Sequence, residues 1–305
     1  MFKKMFTLPI VRFGTVLFVI LGLTLAFPAT RALADEILKL FRVQQVTAIP
    51  VDFTGLEQLT GDGALGNQFT DLISSSMKLT PEPDYPTAVT NAEEAGRLAG
   101  FNVRLPQGIP PSQIYVMDGA EFTITVDRQK AQALLDEAGR SDLVLPDAID
   151  GAVISVTILP SVSVGYDACP APHTGYLINA GISARQYPDC VILVEMPSPT
   201  VSAPAEVDVE QLALIGLEFT GMTPIEAAVF ANTVDWTSTL VIPIPKGAAF
   251  YDLVTVDGVP GTLIRRSADA HAQYALLWVK DGIIHAISAV GTDYQKALDM
   301  ANSLQ

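Results

Sequence analysis

"YALLWVKDGIIHAISAVG", residues 274–291, is the stretch whose reading decides the fold. Two apolar runs rich in Ile, Val and Leu flank Asp281-Gly282, a dipeptide that accepts the positive φ angles of a tight two-residue turn. The segment therefore reads as a β-hairpin. A closing helix follows in "TDYQKALDMANSL", where Ala297, Leu298, Ala301 and Leu304 recur at helical spacing and suit docking onto one sheet face. Trp278 is placed at the centre of that packing.

The same grammar extends outward. "YDLVTVDGVPGTLIRR" is a second hairpin turning near Asp257-Gly258, after the strand "TLVIPIP". "IYVMDGAEFTITV" reads as a third, through Asp118-Gly119. "AVISVTILPSVSVGY" and "CVILVEMPSP" are β-branched runs of the kind that fill central strands. Helices come with their punctuation: Thr90 as N-cap with Glu93 three residues on and Gly100 as stop, Asp127 to Gly139, a start at Asp208, and Thr223 before Pro224. Hairpins outnumber βαβ units. The expected fold class is α+β, a mostly antiparallel sheet with helices packed on one face, preceded by one N-terminal membrane helix.

That membrane helix rests on "GTVLFVILGLTLAFPATRALADEIL", residues 14–38. Lys3, Lys4 and Arg12 form a basic start, Phe13 to Thr30 carries no charge, and Ala32-Leu33-Ala34 offers a cleavage site. The run is also near the lower limit for spanning the hydrocarbon core. Residues 1–34 are thus a membrane anchor or a signal peptide, and either way the basic end stays inside and the bulk of the chain crosses. Because "ADEILKLF" continues the helical pattern past the cut, the expected location is the cell membrane, single-pass, with the C-terminal part outside the cytoplasm. Cleavage after Ala34 makes the protein secreted instead.

Residues 35–89 read as a juxtamembrane segment and linker, rich in Gly, Ser, Thr and Pro between Phe53 and Pro86, and residues 90–305 as the folded domain. Hydrophobic content of 49% supports a packed core, and a net charge of −15 argues against nucleic acid as a partner.

Cys169 and Cys190 are the two cysteines. Outside the cytoplasm an even pair favours a disulfide, worth roughly 3 kcal/mol for a loop of this size. A zinc site drawing on Cys169, His173, Asp189 and Cys190, and two reduced buried thiols, are the competing readings. Chemistry is otherwise sparse. Gly61-Asp62-Gly63-Ala64-Leu65-Gly66 matches G-x-G-x-x-G but follows no buried strand, so it reads as a flexible glycine turn. His173, His271 and His285 have no evident partner and read as surface or packing residues. No catalytic residue, metal or cofactor is expected.

"NAEEAGRLAGFNVRLPQGIPPS" and the ending "VTVDGVPGTLIRR…YALLWVKDGIIHAISAVGTDYQKALDMANSL" together resemble the opening and close of an uncharacterised bacterial extracytoplasmic domain. That domain is found after a single membrane span in anti-sigma-factor-like regulators, and is distantly similar to the lipoprotein-carrier and sigma-regulator half-barrels. The resemblance implies a retained span as tether and supplies no catalytic residues. Residues 127–207 read as an insertion between that opening and that ending, and a dozen residues before the apolar run are too few to grip a sigma factor. The expected function is a non-enzymatic, membrane-tethered sensing or binding domain of regulatory type. Its partners are the membrane, through the N-terminal helix, and an unknown envelope protein or lipid. The alternative is an envelope lipid or lipoprotein carrier with an apolar groove.

Overall fold

Two of the three Asp-Gly dipeptides read as hairpin turns do turn as their chemistry suggests. Asp257 (φ 52°) with Gly258 (φ 77°), and Asp281 (φ 52°) with Gly282 (φ 76°), make two-residue hairpin turns with both central residues left-handed. The computed structural model describes residues 43–52, 64–80, 85–171, 187–236, 238–247, 249–266, 273–290 and 293–305. The apolar leader, and residues 53–63 and 81–84 of the polar stretch, lie outside them. No helix among the described residues is long and apolar enough to cross a membrane.

The N-terminal half contains β1 (Gln45–Val51), α1 (Ala64–Ser76), β2 (Met77–Thr80), β3 (Thr87–Val89), α2 (Ala92–Ala99), β4 (Gln113–Met117), β5 (Ala120–Thr125) and α3 (Arg128–Glu137). β6 (Val153–Ile158), β7 (Ser161–Tyr166), β8 (Val191–Pro197) and β9 (Thr200–Ser202) follow. The chain then forms α4 (Val209–Phe219), α5 (Pro224–Thr233), β10 (Thr239–Pro245), β11 (Ala249–Val256), β12 (Val259–Arg266), β13 (Gln273–Lys280), β14 (Ile283–Val290) and α6 (Tyr294–Asn302). The fold is α+β. An eight-stranded sheet runs β11-β12-β13-β14-β8-β7-β4-β3, a four-stranded sheet runs β2-β5-β6-β9, and β1 pairs with β10. Every pairing between these strands is antiparallel except β1 with β10.

Asp118-Gly119 is the dipeptide that does not make a hairpin. β4 and β5 lie in different sheets, and the chain crosses a corner between them. β6 and β7 make the same crossing in the opposite direction, and β8 and β9 beside them cross in the same direction as β4 and β5. The corner is made by strands that switch sheets. Gly119 serves it through size rather than φ, because a Cβ there would lie 2.6 Å from the carbonyl oxygen of Ile158, in the neighbouring strand.

Both faces of the large sheet are covered, which corrects the expected one-sided packing. On one face α2 and α6 bring Ala95, Ala99, Ala297, Met300 and Ala301 against Leu193, Leu276, Trp278 and Ile287. On the other, Val46, Ile49, Ala213, Leu217, Phe122 and Val156 join Ile192, Val194, Leu277 and Ala286 in a second core. Consecutive apolar residues such as Ile192-Leu193-Val194 demand this, since neighbours in a strand point to opposite faces.

One domain boundary is corrected as well. Residues 35–89 are not a plain linker: β1, β2 and β3 all enter sheets. Their sequences are short, and the partners that hold them lie far along the chain. Residues 127–207, read as an insertion, supply β7 and β8, which bridge β4 to β14 at the middle of the large sheet. Among the caps, Asn91 rather than Thr90 starts α2, accepting from the Glu94 amide, while the Glu94 carboxylate accepts from Thr90. Asp127, Asp208 and Thr223 cap their helices, the last with a full capping box to Glu226.

Replacing Gly119 by Ala is expected to cost about 1–3 kcal/mol, because the added methyl meets backbone at the corner. Chemical denaturation of the two proteins measures it, and an unchanged midpoint would mean that the corner has slack.

Candidate functional site

The densest polar chemistry among the described residues lies on the helix-covered face of the large sheet. It begins with register. Trp278 of β13 stands opposite His285 of β14, and His285 opposite Glu195 of β8. All three are sealed from solvent, at 0%, 2% and 0% exposure. The Trp278 and His285 rings stack with centroids 5.0 Å apart and planes 9° from parallel. His285 Nδ1 lies 3.1 Å from Glu195 Oε1, but without hydrogen-bond alignment.

A buried carboxylate is costly unless it is satisfied. The backbone N–H of Arg104, in the segment after α2, donates to both Glu195 oxygens at 3.0 and 3.3 Å. Arg104 then carries the connection outward. Its guanidinium pairs with Asp257 and donates to the Leu304 carbonyl at 2.8 Å. Lys280 Nζ completes the group, 2.7 Å from Asp257 Oδ1 and 2.8 Å from its backbone oxygen. Asn302 Oδ1 accepts from the Asp257 amide. One turn residue thereby ties the β11–β12 hairpin to β13, α6, the chain end and the segment after α2.

Burial pushes the Asp257 carboxyl up, but hydrogen bonds from Arg104 and Lys280 and their charges outweigh it and hold the pKa at about 2. Burial, with a smaller contribution from the Glu195 charge, pushes the nearby Tyr166 phenol up, and its hydroxyl has no hydrogen-bond partner.

This arrangement can keep a carboxylate inside an apolar layer and transmit its position to a half-exposed cluster at the sheet's end. It presents no side chain of the Trp278–His285–Glu195 row to solvent. Glu195 is missed when the sequence alone is read; the signal that could have found it is a single acid inside the apolar run "CVILVEMP". Its links to His285 and Arg104 leave no local signal, because strand register sets the first and a loop distant in sequence supplies the second.

Cys169 and Cys190 are joined in a disulfide, one just after β7 and the other just before β8. They are therefore neither reduced thiols nor thiolate ligands. Asp189 is exposed, and His173 and His271 lie outside the described residues. No group of three or more His, Cys, Asp or Glu among the described residues is placed to hold a metal ion. Of the glycine motif, residues 61–63 lie outside the described residues. Ala64 to Gly66 belong to α1, so this half of the motif is helix rather than flexible turn. Comparison with protein-family models, with curated proteins and with solved structures finds no match.

Asp257→Asn separates charge from turn geometry, because Asn also tolerates the left-handed backbone. The folded-state pKa lies below the unfolded one, so the stability it brings is present above about pH 4 and is lost as pH falls towards 2. The variant is expected to be less stable than the wild type by about 2 kcal/mol at pH 7. That gap should close as pH falls from 4 to 2. Paired denaturation curves across this range test it, and a gap independent of pH would assign the loss to geometry alone.

Proposed function

We propose that the protein is a non-enzymatic sensing or binding domain, held at the cell membrane by its N-terminal apolar segment, with the folded part outside the cytoplasm. The observation that carries this reading is the Cys169–Cys190 disulfide. Disulfides persist in oxidising compartments, and this one agrees with the basic-then-apolar start of the chain. The interior supports binding over carriage. Small side chains of α2 and α6 fill the face of the large sheet around Trp278, where a carrier would keep a groove. The regulatory role follows the resemblance to the domains of anti-sigma-factor-like regulators, and envelope proteins or lipids are the partners it implies.

Membrane fractionation with mass spectrometry of the mature N-terminus tests the tether. Sedimentation with membranes and an intact leader are expected, whereas a soluble chain beginning at Asp35 would make the protein secreted. Trp278→Ala tests filled core against carrier. In a filled core the change costs about 3–5 kcal/mol. An unchanged melting temperature together with lost co-purifying lipid would select the carrier instead.

A further inference from the structure

The edges of the sheets are treated unequally. A free strand edge offers a row of unpaired N–H and C=O groups, and proteins blunt such edges with shortness, proline, charged side chains or bulges. At one end of the large sheet, β3 has three residues. The small sheet ends in β2, of four residues, and β9, of three. The β1–β10 pair carries Pro50 on one strand and Pro243 and Pro245 on the other. β11, at the other end of the large sheet, has only one such device, the charge of Asp252, and that carboxylate is paired with Arg265. The strand is eight residues long, "AFYDLVTV", without proline or lysine, and its pairing with β12 runs unbroken from Ala249 to Val256. No described strand lies beyond it. Two of its large apolar side chains are nonetheless exposed, Phe250 at 58% and Leu253 at 73%.

Register fixes which groups face outward. The two-residue turn at Asp257-Gly258 makes Val256 and Val259 a hydrogen-bonded pair, and such pairs alternate along the ladder. Val254, Asp252 and Phe250 therefore point their amides at β12. Thr255, Leu253, Tyr251 and Ala249 point theirs at the open edge.

We propose that this edge pairs with the same edge of a second copy, antiparallel about a two-fold axis at Leu253. Centring on Asp252 would set two like charges directly opposite, which is destabilising. Centring on Leu253 sets Leu253 against its own copy, Tyr251 against Thr255 and Asp252 against Val254, and it closes the outward amides of Tyr251, Leu253 and Thr255. The contact is isologous and self-limiting, because it consumes the only long unguarded edge among the described strands. Asp252 already pairs with Arg265 of its own chain, so the local edge carries little net charge. The overall −15 on each copy still repels at long range, and salt screens that repulsion over about 8 Å at physiological strength.

The mature chain, in detergent where the leader is retained, is examined by analytical ultracentrifugation at rising protein and salt concentration. A dimer that strengthens with salt is expected. Leu253→Lys is expected to shift it to monomer by at least tenfold in dissociation constant while leaving the melting temperature unchanged, since the side chain is exposed. The protein has no free cysteine, so an introduced one reports geometry cleanly. Leu253→Cys should give a disulfide-linked dimer on mild oxidation. Thr255→Cys should not, because its own copy lies four residues away in this register, about 14 Å. A monomeric wild type, a dimer that survives Leu253→Lys, or cross-linking at Thr255 in place of Leu253 would each overturn the proposal.

Discussion

A carboxylate with no exposed surface sits at the middle of the large sheet, and the surrounding architecture depends on how it is satisfied. Glu195 lies on β8, the strand that joins the C-terminal hairpins to β7 and β4. Its two oxygens accept from the backbone amide of Arg104 on one side, and the His285 ring lies beside it along the sheet. Because the amide belongs to Arg104, the same residue that satisfies the acid also throws its guanidinium to Asp257 and Leu304. Removing either end of this connection would leave a buried charge or a buried amide unpaired, which costs more than the contact itself contributes. The helices α2 and α6 then serve as a lid that keeps water from Glu195.

The corner between the sheets is the second organising feature. β5 continues β4, β6 leads into β7, and β9 continues β8, so neighbouring strands bend together from one sheet into the next. The small sheet cannot slip register without dragging the large one. This explains why β7 and β8 are buried on both faces while β5 and β6 keep exposed positions. It also gives the prolines and glycine at Gly119, Pro160 and Pro199 a common location, at the bends rather than inside the ladders.

Local rules carried much of the fold. Asp257-Gly258 and Asp281-Gly282 could be read as hairpin turns because positive φ at both positions is a property of the dipeptide and its flanks. Asp127, Asp208 and Thr223 could be read as caps for the same reason. Asp118-Gly119 shows where that logic stops: a two-residue signal cannot distinguish a chain that turns back from one that crosses a corner. The segment after Phe53 looked like linker because Gly, Ser, Thr and Pro dominate it and its strand β2 is only four residues long. The candidate site was the least legible part. Trp278 and His285 could be placed on strands, but their stacking depends on a register set across the whole hairpin, and the Arg104 amide that meets Glu195 comes from a loop some ninety positions earlier.

The parallel pairing of β1 with β10 has a consequence for the order in which the protein is made. Gln45 meets Thr239, and Val43 donates its amide to Ser198, so the first described strand has no partner until most of the chain exists. At about 5–20 residues per second of synthesis, β1 waits roughly ten seconds or more after leaving the ribosome before β10 appears. During that interval its apolar side chains, Val46, Ile49 and Val51, lack the part of their core that β10 and the C-terminal hairpins supply, Val241, Leu277 and Ala286 among it. A chaperone or export factor that binds short apolar segments therefore has its longest window at this strand, and release from it is timed by the emergence of residues 239–245.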